Sequence, residues 1–187
     1  MNIENQVKTN CFSKKIRIDA QYISHNNQNI SLEPEIYTQD KMKLVGLRTQ
    51  FYSVDSEKNN IAGKLPPLWD ELIQKIDEID NRVSGICYGL VQQTASNTDR
   101  LEYCAGIEVD RADKLPTGMV SIDTPKSRYA KFTYRCPAKQ LNNTVNYIYS
   151  TWLLQSSMPI PADRIWNFTA MNIIPRQVKL WCTTPYQ

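Results

Sequence analysis

A single histidine, His25, is all the sequence offers for imidazole chemistry, and it sits in the polar stretch His25-Asn-Asn-Gln-Asn29. General-base work needs a partnered imidazole, so His25 reads as a loop residue. No Cys/His spacing suits zinc, no glycine-rich loop cradles a phosphate, and no Gly-x-Ser-x-Gly elbow presents a nucleophile. No metal or cofactor is expected. The cysteines, Cys11, Cys87, Cys104, Cys136 and Cys182, are scattered and include no Cys-x-x-Cys pair. That usage points to a reducing, cytoplasmic compartment. No run approaches the ~18 apolar residues of a membrane span, and the first residues lack the apolar segment of a signal peptide. Lysine and arginine number 22 against 19 acidic residues, dispersed along the chain. Without a basic run, this balance gives no reason to expect direct nucleic-acid binding.

What is present is globular. The 187 residues are 41% hydrophobic and carry ten Tyr and four Trp, enough to bury roughly 70% of the unfolded surface without a staple. Residues 1–33 are polar and form an extension to a domain over 34–187. Glu35 to Ser53 is extended. Leu65-Pro66-Pro67 opens a helix, since proline is accepted in a first turn. Its apolar positions Leu68, Trp69, Leu72, Ile76 and Ile79 follow helical spacing, ending near Asn81. Strands follow over Ile86–Gln93 and Leu101–Val109. The order then recurs: strands at Met119–Ile122 and Ser127–Arg135, a helix from Pro137 through Trp152, and strands at Trp166–Ile173 and Gln177–Thr183. The expected fold is α+β. Duplicated β-α-β-β units, about 34–110 and 117–184, form an antiparallel sheet with two helices on one face and a ligand cleft on the other.

The most informative stretch is Leu101-Glu-Tyr-Cys-Ala-Gly-Ile-Glu-Val109. Its period of two gives one apolar face and one sparse face, on which Glu108 stands beside the side-chain-free Gly106. A carboxylate next to such a gap suits a cationic ligand, while an amphipathic strand with a solvated glutamate is the plainer account. Aromatic faces add cation–π attraction of roughly 0.5–2 kcal/mol each. Trp69 and Trp152 lie on helical apolar stripes and read as core. Trp181 alternates away from Val178, Leu180 and Cys182 and is the best cleft aromatic of the second half; Trp166 fits either side. Tyr88 and Tyr103 read equally as core rings or as hydroxyls aimed into a pocket, and Tyr134 is similar but nearer a strand end.

Six segments in order carry a family resemblance: Met42-Lys-Leu-Val-Gly-Leu47, Pro67-Leu-Trp69, Tyr88-Gly-Leu90, Tyr103-Cys-Ala-Gly-Ile-Glu-Val109, Arg128-Tyr-Ala-Lys-Phe132 and Tyr149-Ser-Thr-Trp-Leu153. Over about residues 34–184 the sequence resembles the GyrI-like, or AraC-type, effector-binding domain. The resemblance implies the duplicated fold and a small-molecule ligand, aromatic or cationic, held by an acidic residue among aromatics. It also implies several settings: free-standing drug binding, the sensor part of a transcription regulator, contact with DNA gyrase, or hydrolysis of cyclopropane-bearing alkylators. Hydrolysis would need Glu108 to direct a water and a tyrosine, Tyr88 or Tyr103, to supply the proton. Where the family often has Phe-Glu-x-Tyr, this sequence reads Phe168-Thr-Ala-Met171, so Glu108 is the better acidic candidate. The ligand-binding set expected is Glu108, Tyr88, Tyr103, Trp181, Tyr134 and Trp166, in a free-standing binding protein.

Overall fold

A computed structural model describes residues 33–53, 56–94, 98–134, 147–152, 155–156, 167–172 and 178–185. For 133–134, 167–172 and 178–185 the description is of backbone and register. The strands are β1 (Glu35–Gln39), β2 (Met42–Tyr52), β3 (Arg82–Gln93), β4 (Arg100–Val109), β5 (Val120–Thr124), β6 (Ser127–Tyr134), β7 (Asn167–Asn172) and β8 (Val178–Pro185), with one helix, α1 (Ile61–Lys75). The polar segment before Glu33 and most of the helix expected from Pro137 lie outside the described residues. Of that helix, Ile148–Trp152 forms a helical turn.

The strands make one antiparallel sheet in the order β1-β6-β8-β7-β3-β4-β2-β5. This α+β arrangement is the expected class. Strands β1 and β2 lie towards opposite ends of that order, yet only Asp40 and Lys41 separate them in the chain. Likewise only Pro125 and Lys126 separate β5 from β6. Two residues span at most ~7 Å, so the two ends of the sheet must meet. The sheet therefore curls. At the meeting point the Met42 N–H donates to Thr124 Oγ1 at 3.1 Å, and the same hydroxyl donates to the Met42 carbonyl at 3.3 Å. Lys126 and Asp40, one from each link, pair at 2.8 Å.

Curling requires close backbone approach, and glycine permits it. Gly46 and Gly106 face each other across β2 and β4. A Cβ on Gly46 would strike the Ala105 carbonyl and the Gly106 Cα, and one on Gly106 would come within 3.0 Å of the Val45 carbonyl. Any side chain at Gly46 would push the two strands apart.

Helix α1 covers the convex face. Leu68 and Leu72 bury against Val45, Leu47, Phe51, Tyr103, Ala105 and Ile107, each leucine contributing about 1.5–3 kcal/mol. The helix starts at Ile61, four residues before the expected Leu65, so Pro66 and Pro67 lie inside it, and it ends at Lys75 rather than near Asn81, followed by a 3-10 turn at Ile76–Glu78. The sequence misleads here because the loop ties down the start. Asn60 donates its N–H to the Tyr52 carbonyl at 3.3 Å, and its Oδ1 accepts the Tyr52 N–H at 2.8 Å. The other end closes as Arg82 Nη1 donates to the Ile76 carbonyl at 3.1 Å and to Asp77 Oδ1 at 3.0 Å, placing a cation at the negative end of the helix. Asn81 then adopts φ 58°, a left-handed turn that asparagine tolerates.

Gly46→Ala is expected to destabilise the fold by about 2–4 kcal/mol, because the new methyl meets backbone rather than a movable side chain. Gly63→Ala, where a Cβ meets nothing within 4 Å, should be neutral or slightly stabilising in the helix. Chemical denaturation of both variants checks this, and equal stability of the two would disprove the close-approach account.

Candidate functional site

The register sorts β4 cleanly. Tyr103, Ala105, Ile107 and Val109 belong to the cluster under α1, so Cys104, Gly106 and Glu108 alternate onto the concave face. Across the neighbours, Tyr88 is level with Gly106, Leu90 with Cys104, and Leu44 with Glu108. Met42, Leu44, Leu90, Cys104 and Tyr129 form a second buried cluster, flanked by Tyr37, Tyr88 and Ile122. Residues from both ends of the sheet thus meet inside the curl.

Glu108 stands at this cluster, half-buried. The Tyr88 hydroxyl donates to Glu108 Oε2 at 3.5 Å, long for an O–H···O bond. Among the described residues, no cationic side chain pairs with Glu108. Tyr37 stacks on Tyr129, ring centroids 5.8 Å apart and planes 30° apart. Sequence reasoning did not single out Tyr37 and Tyr129. The only local hint is alternation in Arg128-Tyr-Ala-Lys-Phe132, and the β1–β6 pairing that joins the two tyrosines is far from local.

The tyrosine hydroxyls and the thiol here hold their protons. Burial foremost, then the charge and hydrogen bond of Glu108, pushes the Tyr88 pKa up to about 12. Burial pushes Tyr129 to about 12 against the opposing hydrogen bonds of Ser127 and Thr124. Cys104 is pushed to about 12, mainly by burial and then by the charge of Glu102. Tyr37 is raised by burial and by the neighbouring Tyr129 and Tyr88. At neutral pH this face therefore presents neutral hydroxyls and a thiol that is a poor nucleophile.

The other expected site residues divide. Tyr103 is not brought to Glu108: it lies on the helix side, where Trp69 Nε1 donates to its hydroxyl at 3.1 Å and Phe51 meets its ring edge-on at 6.0 Å. Gly89 lies against that hydroxyl, and a Cβ there would collide with it. Alternation alone cannot say which face a helix covers, which is why Tyr88 and Tyr103 looked alike. Trp69 packs on this same cluster as expected for a core ring. Trp152 is half-buried and meets Phe132 edge-on at 5.0 Å. Tyr134 pairs with Val178, two positions along β6 from Phe132 and out of step with Tyr129. Trp181 is level with Phe168, which is level with Leu90, so its backbone position falls in a concave-face row. Trp166 lies outside the described residues. Thr169 is level with Gly89, whereas Ala170 is level with Tyr88.

Residues 35–169 match the family described as integron-associated effector binding protein, Cass2. The chain belongs to this effector-binding family, and small-molecule binding is the general function that goes with it. It is 30% identical over 92 residues to the transcriptional regulator BrlR of Pseudomonas aeruginosa, covering 49% of this chain and 33% of that one. The chain thus spans about a third of that curated relative's length. Among solved structures, an integron cassette protein from the mobile metagenome of Vibrio cholerae superposes with a TM-score of 0.58 at 13% identity, over 83% of this chain and 98% of the other. SAV2435, solved with tetraphenylphosphonium bound, superposes with a TM-score of 0.62 at 11% identity, over 81% of this chain and 93% of its own. Both likenesses speak to the GyrI-like fold. Among the described residues, no helix is long and apolar enough to cross a membrane.

Buried tyrosines make stability fall in alkali. Tyr88 and Tyr129 move from 10.0 to about 12 and Cys104 from 9.0 to about 12. The unfolded chain thus releases these protons first, and their contribution is full below about pH 9 and lost as pH rises towards 12. Tyr88→Phe should flatten the decline of melting temperature between pH 10 and 12. An unaltered slope would mean that Tyr88 is not desolvated.

Proposed function

We propose that this protein binds amphipathic, aromatic cations on the concave face, in drug sensing or sequestration, with Glu108 as counter-charge and the rings of Tyr37 and Tyr88 as walls, the buried Tyr129 backing Tyr37 from within the cluster. The observation that carries the reading is Glu108 itself: a half-buried carboxylate whose polar contact among the described residues is one long hydrogen bond. Holding a carboxylate partly out of water is unfavourable without a partner, and a cation supplies one. Each facing ring would add roughly 0.5–2 kcal/mol of cation–π attraction. The row position of Trp181 supports an aromatic contribution from the second half of the chain, and the aromatic cation held by SAV2435 supports the ligand class.

A second reading, a sensor component working with a separate DNA-binding protein, draws on the similarity to BrlR. It uses the same concave face, and a ligand-dependent change in co-purification with a co-expressed regulator tests it.

Tetraphenylphosphonium should bind wild-type protein in calorimetry, and Glu108→Gln should weaken it by about tenfold or more, in line with the ~1.5–3 kcal/mol of an interaction with a charged group. Tyr103→Phe should leave this affinity unchanged. No measurable binding, or equal binding by Glu108→Gln, would sink the proposal.

A further inference from the structure

Among the described strands, four basic residues fall in concave-face rows, Arg48, Arg100, Lys131 and, by backbone position, Lys179, and the carboxylates can be counted strand by strand. Strands β2, β3, β6, β7 and β8 contain no aspartate or glutamate, and the one in β5, Asp123, alternates with Ile122 onto the other face and pairs with Lys43. Among the described residues, three strand carboxylates remain for the concave side. Glu35 is two residues from Tyr37, Glu102 two from Cys104, and Glu108 four from Cys104. Glu35 is directly opposite Lys131, and their side chains pair at 2.7 Å. Glu102 has Arg48 Nη1 at 3.9 Å, from the position opposite Cys104. Two of the three are thus matched by cations of the same face. Glu108 is the third.

The spacing adds to the count. Glu35 and Lys131 close the rim beside the Tyr37–Tyr129 stack, and the Lys131 side chain is only 21% exposed. A second positive charge reaching past the stacked rings would meet a carboxylate already paired with that ammonium. Like charges placed together in a partly buried site are unfavourable.

We infer that the concave site is built for ligands carrying one positive charge and discriminates against dications, with Lys131 and Arg48 setting the limit by neutralising Glu35 and Glu102. This rests on the reading of the concave face as the binding site. It makes Lys131 and Arg48 specificity-determining residues that need not touch a monocation at all.

The test is calorimetry with tetraphenylphosphonium and with p-xylylene-bis(triphenylphosphonium), a dication of the same aryl chemistry, on wild type, Lys131→Gln and Arg48→Gln. Wild type should prefer the monocation at least tenfold. Each variant, by removing a cation that neutralises a carboxylate, should narrow that preference at least threefold while leaving monocation affinity within twofold, and an effect of size alone would not respond in this way. Having two variants keeps the test available should one fold poorly. Equal or tighter dication binding by wild type, or a preference unmoved in both variants, overturns the inference and leaves the cation site standing. Failure of both ligands to bind wild type removes the cation site itself, and the inference with it.

Discussion

Two links of two residues each, Asp40-Lys41 and Pro125-Lys126, govern the rest of the structure. Each joins strands that lie towards opposite ends of the sheet order. In a flat sheet at ~4.8 Å spacing the linked strands, six positions apart, would lie about 29 Å from each other, a distance no dipeptide reaches. Curvature is therefore a covalent requirement. The Thr124 hydroxyl, bonded to both backbone groups of Met42, holds the meeting point, and the Gly46–Gly106 pair supplies the close approach.

The site follows from that requirement. Tyr37 and Tyr129 belong to the β1–β6 end, and Leu44, Tyr88 and Glu108 to the middle and other end, so only the curl assembles them. The convex face is spent on α1, with Tyr103 and Trp69 hydrogen-bonded beneath it. A carboxylate under the helix would have been costly to bury, whereas the concave face leaves it at the margin of an aromatic cluster. The fold thus gives one face of β4 to the core under α1 and the other to the proposed recognition groups.

What the sequence made legible was local. Alternation in Leu101–Val109 identified the strand and put Glu108 and Gly106 together, and helical spacing found Leu68 and Leu72 as core. What it concealed was relational. Tyr88 and Tyr103 sit in strands of equal quality, and their difference is only which face α1 covers. Tyr37 and Tyr129 meet through a ladder whose partners are distant in sequence, a pairing that no window of residues reveals. The start of α1 was hidden because proline signals a first turn, while here Asn60 and Tyr52 fix the chain one turn earlier.

The crossing of the links also bears on how the chain reaches its native state. The strand leading the first half, β1, is paired by the second half, and the strand leading the second, β5, is paired by the first. Neither half can complete its own ladder. Contacts such as Lys131 with Glu35 and Met42 with Thr124 close loops of 96 and 82 residues, and the chain must meet that entropy before the contacts return anything. Such topology belongs with slow, highly cooperative folding, in milliseconds to seconds. On a ribosome, β1 would wait through roughly ninety residues of synthesis for its partner, keeping an unpaired edge exposed until β6 emerges.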